Sequence, residues 1–334
     1  MTELDRPRIG IVAGDPHGVG SEIILKSLSR PEVTDKLIAC VVGSVEHFRL
    51  TQAAIGTSLE ILEIDTPEQA VGEAGTLEII PGEEPEWDSF EWGKPSEAAG
   101  RVSVDHLRRA AELALQERVQ ALVYGPLHKG NMQGGGLGFP SEAEFLKDLT
   151  GSRELVIFLV GERTMVTRAT THVPLREVPA LITKEKVLGV IRMTAQGLRR
   201  LSFENPTIGV AALNPHMGEG GKCGTEEVEH IIPAIEAARA EGIAVSDLLP
   251  ADTLHLAFDA PAPDGGIDAG IYMYHDIAGL CSKIIESFDM FTYTMGLPFP
   301  VFTPGHGTRY RRAGRGTAGD EALRNALLFA ARTR

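Results

Sequence analysis

The sequence predicts an α/β fold with a largely parallel sheet, and three observations lead there. Short apolar runs rich in Val and Ile alternate along the chain with helix-length amphipathic segments. The apolar runs are continuous rather than broken by polar residues, as in strands covered on both faces. Glycine, at 37 of 334 residues, is about 11% of the chain against a usual value near 7%, which suits many strand-to-helix turns.

Taken in order, Arg8–Ala13 reads as the first strand, followed by a Gly-rich turn and a helix from Ser21. Leu37–Val42 and Thr76–Ile80 read as strands, and the acidic Pro81–Asp88 as a surface loop. Ser96–Val119 is a long helix with Leu107, Ala110, Ala111, Ala114 and Leu115 on one stripe. Gln120–Tyr124 is a buried strand, and Leu155–Val160 and Met165–Thr171 are two more, joined by a turn at Gly161-Glu162. Lys184–Leu201 is an amphipathic helix, Thr207–Leu213 a strand, and Thr225–Glu241 a helix stopped by Gly242. Ile267–Tyr274 is a further strand and Asp320–Arg332 the closing helix. No internal repeat and no long disordered linker interrupts the pattern.

At roughly 150 residues per domain the length suggests about two domains. Basic residues number 32 against 46 acidic ones, and the net charge of −14 argues against nucleic-acid or anionic-membrane binding. No apolar run is long enough to span a bilayer, and the N-terminal residues lack a signal-peptide apolar stretch. Cys40, Cys223 and Cys281 are odd in number and have no CxxC spacing, so a reducing cytoplasm is expected rather than a disulfide scaffold.

Ligands of open α/β sheets gather outside the carboxyl ends of the strands. His172, His216 and His275 each fall at or just past the carboxyl end of a separate apolar strand. Neutral imidazole is a common ligand of divalent ions, and three protein ligands with an open position is a catalytic arrangement. Spacings of 44 and 59 residues make no local metal motif, so topology alone groups them. Three unrelated loop-capping histidines would give the same pattern. The first turn, GDPHGVGSE, holds Gly14, Asp15 and Gly18 between a strand and a helix, where free N–H groups favour anions, although G-x-G-x-x-G is absent. Lys129, in YGPLHKG, projects from another strand mouth; Lys283 and Asp252 are further candidates, or else solvated surface and turn residues. Residues 305–316 carry Arg309, Arg311, Arg312 and Arg315, a basic cluster suited to an anion such as phosphate.

GDPHGVGSEI, YGPLHKG, FPSEAEFLKDLTG, TTHVPLREVP, LNPHMGEGG, LPADT, YHD, MGLPF and HGT-x5-GRG occur in this order. Together they resemble the 4-hydroxythreonine-4-phosphate dehydrogenase family of vitamin B6 biosynthesis, from about residue 8 to the C-terminus. The resemblance implies an isocitrate/isopropylmalate-dehydrogenase-like fold, with two α/β domains flanking a cleft. The expected division is 1–125 plus 283–334 on the cofactor side, and 126–282 for metal, substrate and dimerisation. A homodimer with the metal site at its interface is implied, His172, His216 and His275 holding one divalent ion (Zn, Co, Ni, Mn or Mg). So is NAD- or NADP-linked oxidation of a hydroxy acid, with decarboxylation of the resulting β-oxo acid. Lys129 or Asp252 would assist proton transfer, and Lys283 keeps the family's substrate lysine. The cofactor would meet Gly14, Asp15, Gly18, His306, Gly307, Thr308 and Arg311.

Several positions depart from the family pattern. Where FPGHTEFL is usual, this chain has Glu142-Ala143 in place of the substrate-binding His-Thr pair. Thr292 stands for a substrate asparagine and Val301 for a substrate arginine. These changes remove positive charge where a phosphorylated acid would dock. They predict poor use of 4-hydroxythreonine 4-phosphate, and favour a paralogue acting on 4-phospho-threonate or -erythronate, or on a cis-dihydrodiol carboxylate. HGT followed by Arg311 and Arg312 resembles the adenosine-binding loop of isocitrate and isopropylmalate dehydrogenases, and arginines there predict that NADP is accepted at least as well as NAD. A phosphate acyltransferase-like enzyme and a non-catalytic binding protein are the alternatives from other classes.

Overall fold

The computed structural model describes residues 6–260, 265–286 and 289–333. The chain forms two compact units, Met1–Glu154 with Leu297–Arg334, and Leu155–Gly296. The first begins with β1 (Arg8–Val12), α1 (Gly20–Leu28), α2 (Pro31–Thr34), β2 (Ile38–Gly43), α3 (Val45–Ile55), β3 (Glu60–Glu63) and β4 (Thr76–Pro81). It continues with α4 (Glu97–Leu115), β5 (Ala121–Tyr124), α5 (Lys129–Gly134) and α6 (Glu142–Thr150). The second unit contains β6 (Val156–Val160), β7 (Met165–Arg168), α7 (Val178–Leu181), α8 (Lys184–Arg200) and β8 (Ile208–Ala211). It ends with α9 (Ile232–Ala240), β9 (Val245–Leu249), β10 (Ala269–Tyr272), α10 (His275–Glu286) and β11 (Phe291–Met295). The chain then returns to the first unit as β12 (Val301–Pro304) and α11 (Glu321–Ala330).

Strands of the first unit run in the order β3-β4-β2-β1-β5-β12, every pair parallel. Ile9, Ile11, Val41, Val42, Leu122 and Val123 are buried, which is why these runs carry no polar alternation. The second unit has the order β11-β6-β7-β10-β8-β9. There β7, β10, β8 and β9 are parallel, while β6 pairs antiparallel with both β7 and β11. A backbone bond from Gly161 N to Thr164 O (2.8 Å) closes the β6–β7 hairpin at the expected turn.

Local chemistry sets the helix ends. Ser44, Ser96, Ser141 and Thr183 each accept a backbone N–H three residues on and so cap α3, α4, α6 and α8. Leu107, Ala110, Ala111 and Ala114 are buried along α4, as the stripe requires. Leu115 is not part of it: at the last helical position it is 38% exposed. Glu117 takes φ 58°, so 116–119 lie outside the helix. The chain crosses between units at 154/155 and 296/297 rather than at 125/126 and 282/283. Gly100 of α4 meets the Asn131 backbone of α5 too closely for any side chain, which holds α5 to the first unit. β11 stays with the second unit through its pairing to β6.

Candidate active site

Three neighbouring parallel strands of the second unit, β7, β10 and β8, deliver the three histidines from their carboxyl ends. His172 follows β7 by a short loop, His275 opens α10 directly after β10, and His216 lies in the loop after β8. The His172 and His275 rings stand 5.5 Å apart at 47°. Both line a cavity of ≈ 220 Å³ with Thr171, Val173, Leu175 and Tyr274. His275 Nδ1 meets Asp276 Oδ1 at 2.8 Å, and His216 Nδ1 meets Glu219 Oε1 at 3.2 Å. A carboxylate on Nδ1 leaves Nε2 as the free ligating nitrogen. His216 is held differently from the other two: its side chain is 81% exposed. It also begins a run of four left-handed residues, His216, Met217, Gly218 and Glu219, with φ of 52°, 58°, 72° and 48°. Left-handed backbone costs about 1–2 kcal/mol for each non-glycine residue, so three of the four are strained. Buried Glu227 supports this segment by accepting Leu213 N and Asn214 N. Among the described residues no group of three or more His, Cys, Asp or Glu is gathered tightly enough to hold an ion.

Loops at the carboxyl ends of β1, β5 and β12 come together in the first unit. Gly14 has φ +84°, and a Cβ there would fall 2.5 Å from Pro126 O, so only glycine lets these two loops touch. Asp15 N donates to Pro126 O (3.0 Å), and Val19 N donates to Thr308 O (3.1 Å). Gly18 lies against Thr308 as well. Thus Gly14, Asp15, Gly18 and Thr308 belong to one cluster. Asn131 and Tyr310 join it through bonds to the Asp15 carboxylate, and neither was singled out by sequence. His17 is buried, its Nδ1 2.6 Å from Lys94 O.

The remaining candidates divide by exposure. Lys129 is the exposed first residue of α5, next to the capping His128. Asp252 is exposed just after β9, on the edge that carries His216. Lys283 is exposed in the last turn of α10. Glu142 and Ala143 open α6; one Glu142 oxygen is buried without a hydrogen-bond partner. Thr292 lies half-buried in β11. Val301 does not face an open site: it is 1% exposed, opposite Leu122 in the sheet. His306 is half-buried, Gly307 is exposed, and Arg311 and Arg312 are exposed. Burial lowers the His306 pKa below its ordinary value. Burial, then the neighbouring Asp15, raises that of Tyr310, which keeps its phenol a donor.

The family model described as pyridoxal phosphate biosynthetic protein PdxA matches residues 35–330. The chain belongs to this family. It is 37% identical, over 98% of its length and 97% of the relative, to a 4-hydroxythreonine-4-phosphate dehydrogenase of Trichlorobacter lovleyi. It is 36% identical to a D-threonate 4-phosphate dehydrogenase of Cupriavidus necator, over 96% of this chain and 95% of that one. The crystal structure of a 4-hydroxythreonine-4-phosphate dehydrogenase from Burkholderia phymatum superposes with a TM-score of 0.86 at 33% identity, covering 98% and 99% of the two chains. With relatives named as dehydrogenases along its whole length, the chain is a PdxA-family dehydrogenase. None of its described helices is long and apolar enough to cross a membrane.

Proposed function

We propose that this PdxA-family chain oxidises the hydroxyl of a phosphorylated hydroxy acid with NAD or NADP, and that the β-oxo acid formed then loses CO₂. The observation that carries the proposal is the 5.5 Å approach of His172 and His275 on adjacent parallel strands. Two imidazoles bound to one tetrahedral ion at about 2.1 Å would have their ring centroids roughly 5 Å apart. The pair therefore fits a single divalent ion, and imidazole donors favour Zn, Co, Ni or Mn over Mg. With no third ligand gathered among the described residues, the site is completed from a second copy of the chain, with His216 in the ligand set. Leu175, Leu280 and Ile284, exposed by 67%, 57% and 73%, supply apolar surface for such a homodimer. The isocitrate/isopropylmalate-dehydrogenase-like form of the fold and a cytoplasmic location belong to the same proposal.

A divalent ion held by His172 and His275 would supply a Lewis acid for the substrate hydroxyl, and a bound nicotinamide would supply the hydride acceptor. Residues of the chain do the remaining work. Lys129 or Asp252 would assist proton transfer, and the exposed Lys283 ammonium would attract the anionic substrate. The Gly14–Gly18 and His306–Thr308 loops hold the cofactor, with Arg311 facing a 2′-phosphate.

With Val301 in the core, substrate choice falls to Glu142, Ala143 and Thr292, of which Glu142 and Ala143 replace the His-Thr pair. Losing one charge-assisted contact there costs about 1.5–3 kcal/mol, or roughly one to two decades in kcat/KM for 4-hydroxythreonine 4-phosphate. The test is NAD(P)H formation with that compound, 4-phospho-threonate, 4-phospho-erythronate and a cis-dihydrodiol carboxylate, before and after metal removal. Metal-dependent turnover of at least one of the phosphorylated acids is expected. Reduction of neither cofactor by any of the four would contradict the proposal.

A further inference from the structure

Asp15 is 1% exposed, yet its carboxylate is held by neutral donors. Oδ1 accepts His17 N at 2.9 Å. Oδ2 accepts Asn131 Nδ2 at 2.8 Å and the Tyr310 hydroxyl at 2.9 Å. Asn131 Nδ2 also donates to the Tyr310 oxygen at 2.9 Å, closing a triangle. Its three corners come from loops after three adjacent strands, β1, β5 and β12. A buried carboxylate is costly unless bonded, so each corner constrains the other two.

We propose that the Tyr310 hydroxyl is a positioning group for cofactor binding, locking the Gly14–Gly18 loop and the start of α5 to the His306–Thr308 loop before the cofactor arrives. This rests on the assignment of these loops to NAD(P). The tyrosine ring and its hydroxyl have separable roles. The ring lies 5.6 Å from His128, the residue that caps α5. That contact needs no oxygen, so a phenylalanine preserves it. The hydroxyl is the only atom by which residue 310 reaches Asp15 and Asn131. Without it, the loop after β12 loses its tie to the Asp15 carboxylate and keeps the backbone bond from Val19 N to Thr308 O. Ordering that the wild-type protein completes on folding is then left to the binding step, where it weakens affinity. The hydroxyl does not touch reacting atoms in this scheme, so the saturated rate should be spared.

The experiment is titration of wild type and Tyr310→Phe with NADH and with NADPH in the absence of substrate, alongside hydrogen exchange of the 14–19 amides and steady-state kinetics. A roughly tenfold weaker Kd for the cofactor that wild type binds is expected, from loss of one bond to a charged group. Faster exchange at 14–19, a matching rise in cofactor KM, and a kcat within about twofold of wild type should accompany it. Should Tyr310→Phe not fold, Asn131→Ala opens the same triangle and carries the test. Unchanged affinity and exchange in a folded variant would overturn the inference, as would a fall in kcat at unchanged Kd. Failure of wild type to bind either dinucleotide would overturn the cofactor assignment and this inference with it.

Discussion

The carboxyl-edge loops of the two units are built in opposite ways. In the first unit the loops after β1, β5 and β12 are tied to one another around buried Asp15, with glycine at the point of closest approach. In the second unit the loops after β7, β10 and β8 present histidines outward, one of them on left-handed backbone with an 81% exposed side chain. A site whose parts all come from one chain can be ordered by folding alone. A site that takes a ligand from elsewhere keeps its donors exposed until that ligand arrives. The contrast fits the proposed function, with preorganised cofactor binding in the first unit and an assembled metal site in the second.

The largest expected effect breaks the second unit's edge. His172→Ala or His275→Ala should lower turnover by roughly three orders of magnitude or more, because the Lewis acid is lost. Neither ring belongs to the buried core, so thermal unfolding of the metal-free protein should move little. Kinetics and calorimetry on the same samples check both halves.

Acid should break the first unit instead. Burial lowers His47 from 6.5 to about 3 and His106 from 6.5 to about 4. Below pH 6.5 the unfolded chain binds the protons that the folded chain refuses, so stability present above 6.5 is lost as pH falls. By pH 5 each histidine costs about 2 kcal/mol. Denaturant unfolding at pH 7 and pH 5 measures the loss, and a volume-matched neutral replacement of His47 should flatten it.

A smaller effect tests how the histidines are oriented. Asp276→Ala frees His275 Nδ1 and should weaken metal binding roughly 10- to 100-fold, read by competition with a chelating dye. The smallest concerns the rim of the first unit. Arg311→Asp should shift the NADP/NAD ratio of kcat/KM toward NAD by about tenfold, and an unchanged ratio would remove Arg311 from cofactor choice.

The central strands of both units were legible because continuous apolar runs have no other place than between helical layers, and β1, β5, β8 and β10 all lie within the predicted runs. The three histidines followed from those strands, since each sits a few residues past a carboxyl end. β3, with EILE, and also β9, β11 and β12 are not predicted. VSDLL, FTYTM and VFTP mix polar and apolar residues, and only pairing to a neighbour makes them strands. The burial of Val301 has the same cause: once VFTP is a strand, its first residue packs in the core. The Asp15 triangle joins residues 116 and 295 positions apart, and no local spacing announces contacts of that kind.

The most direct test of an assembled second-unit site is native mass spectrometry of metal-loaded protein across a dilution series. On the proposed function, dimers carrying two ions are expected, with dissociated monomers carrying none, because the described residues of one chain bring only His172 and His275 together. Monomers that retain one ion per chain with full occupancy would contradict assembly and place every ligand within a single chain.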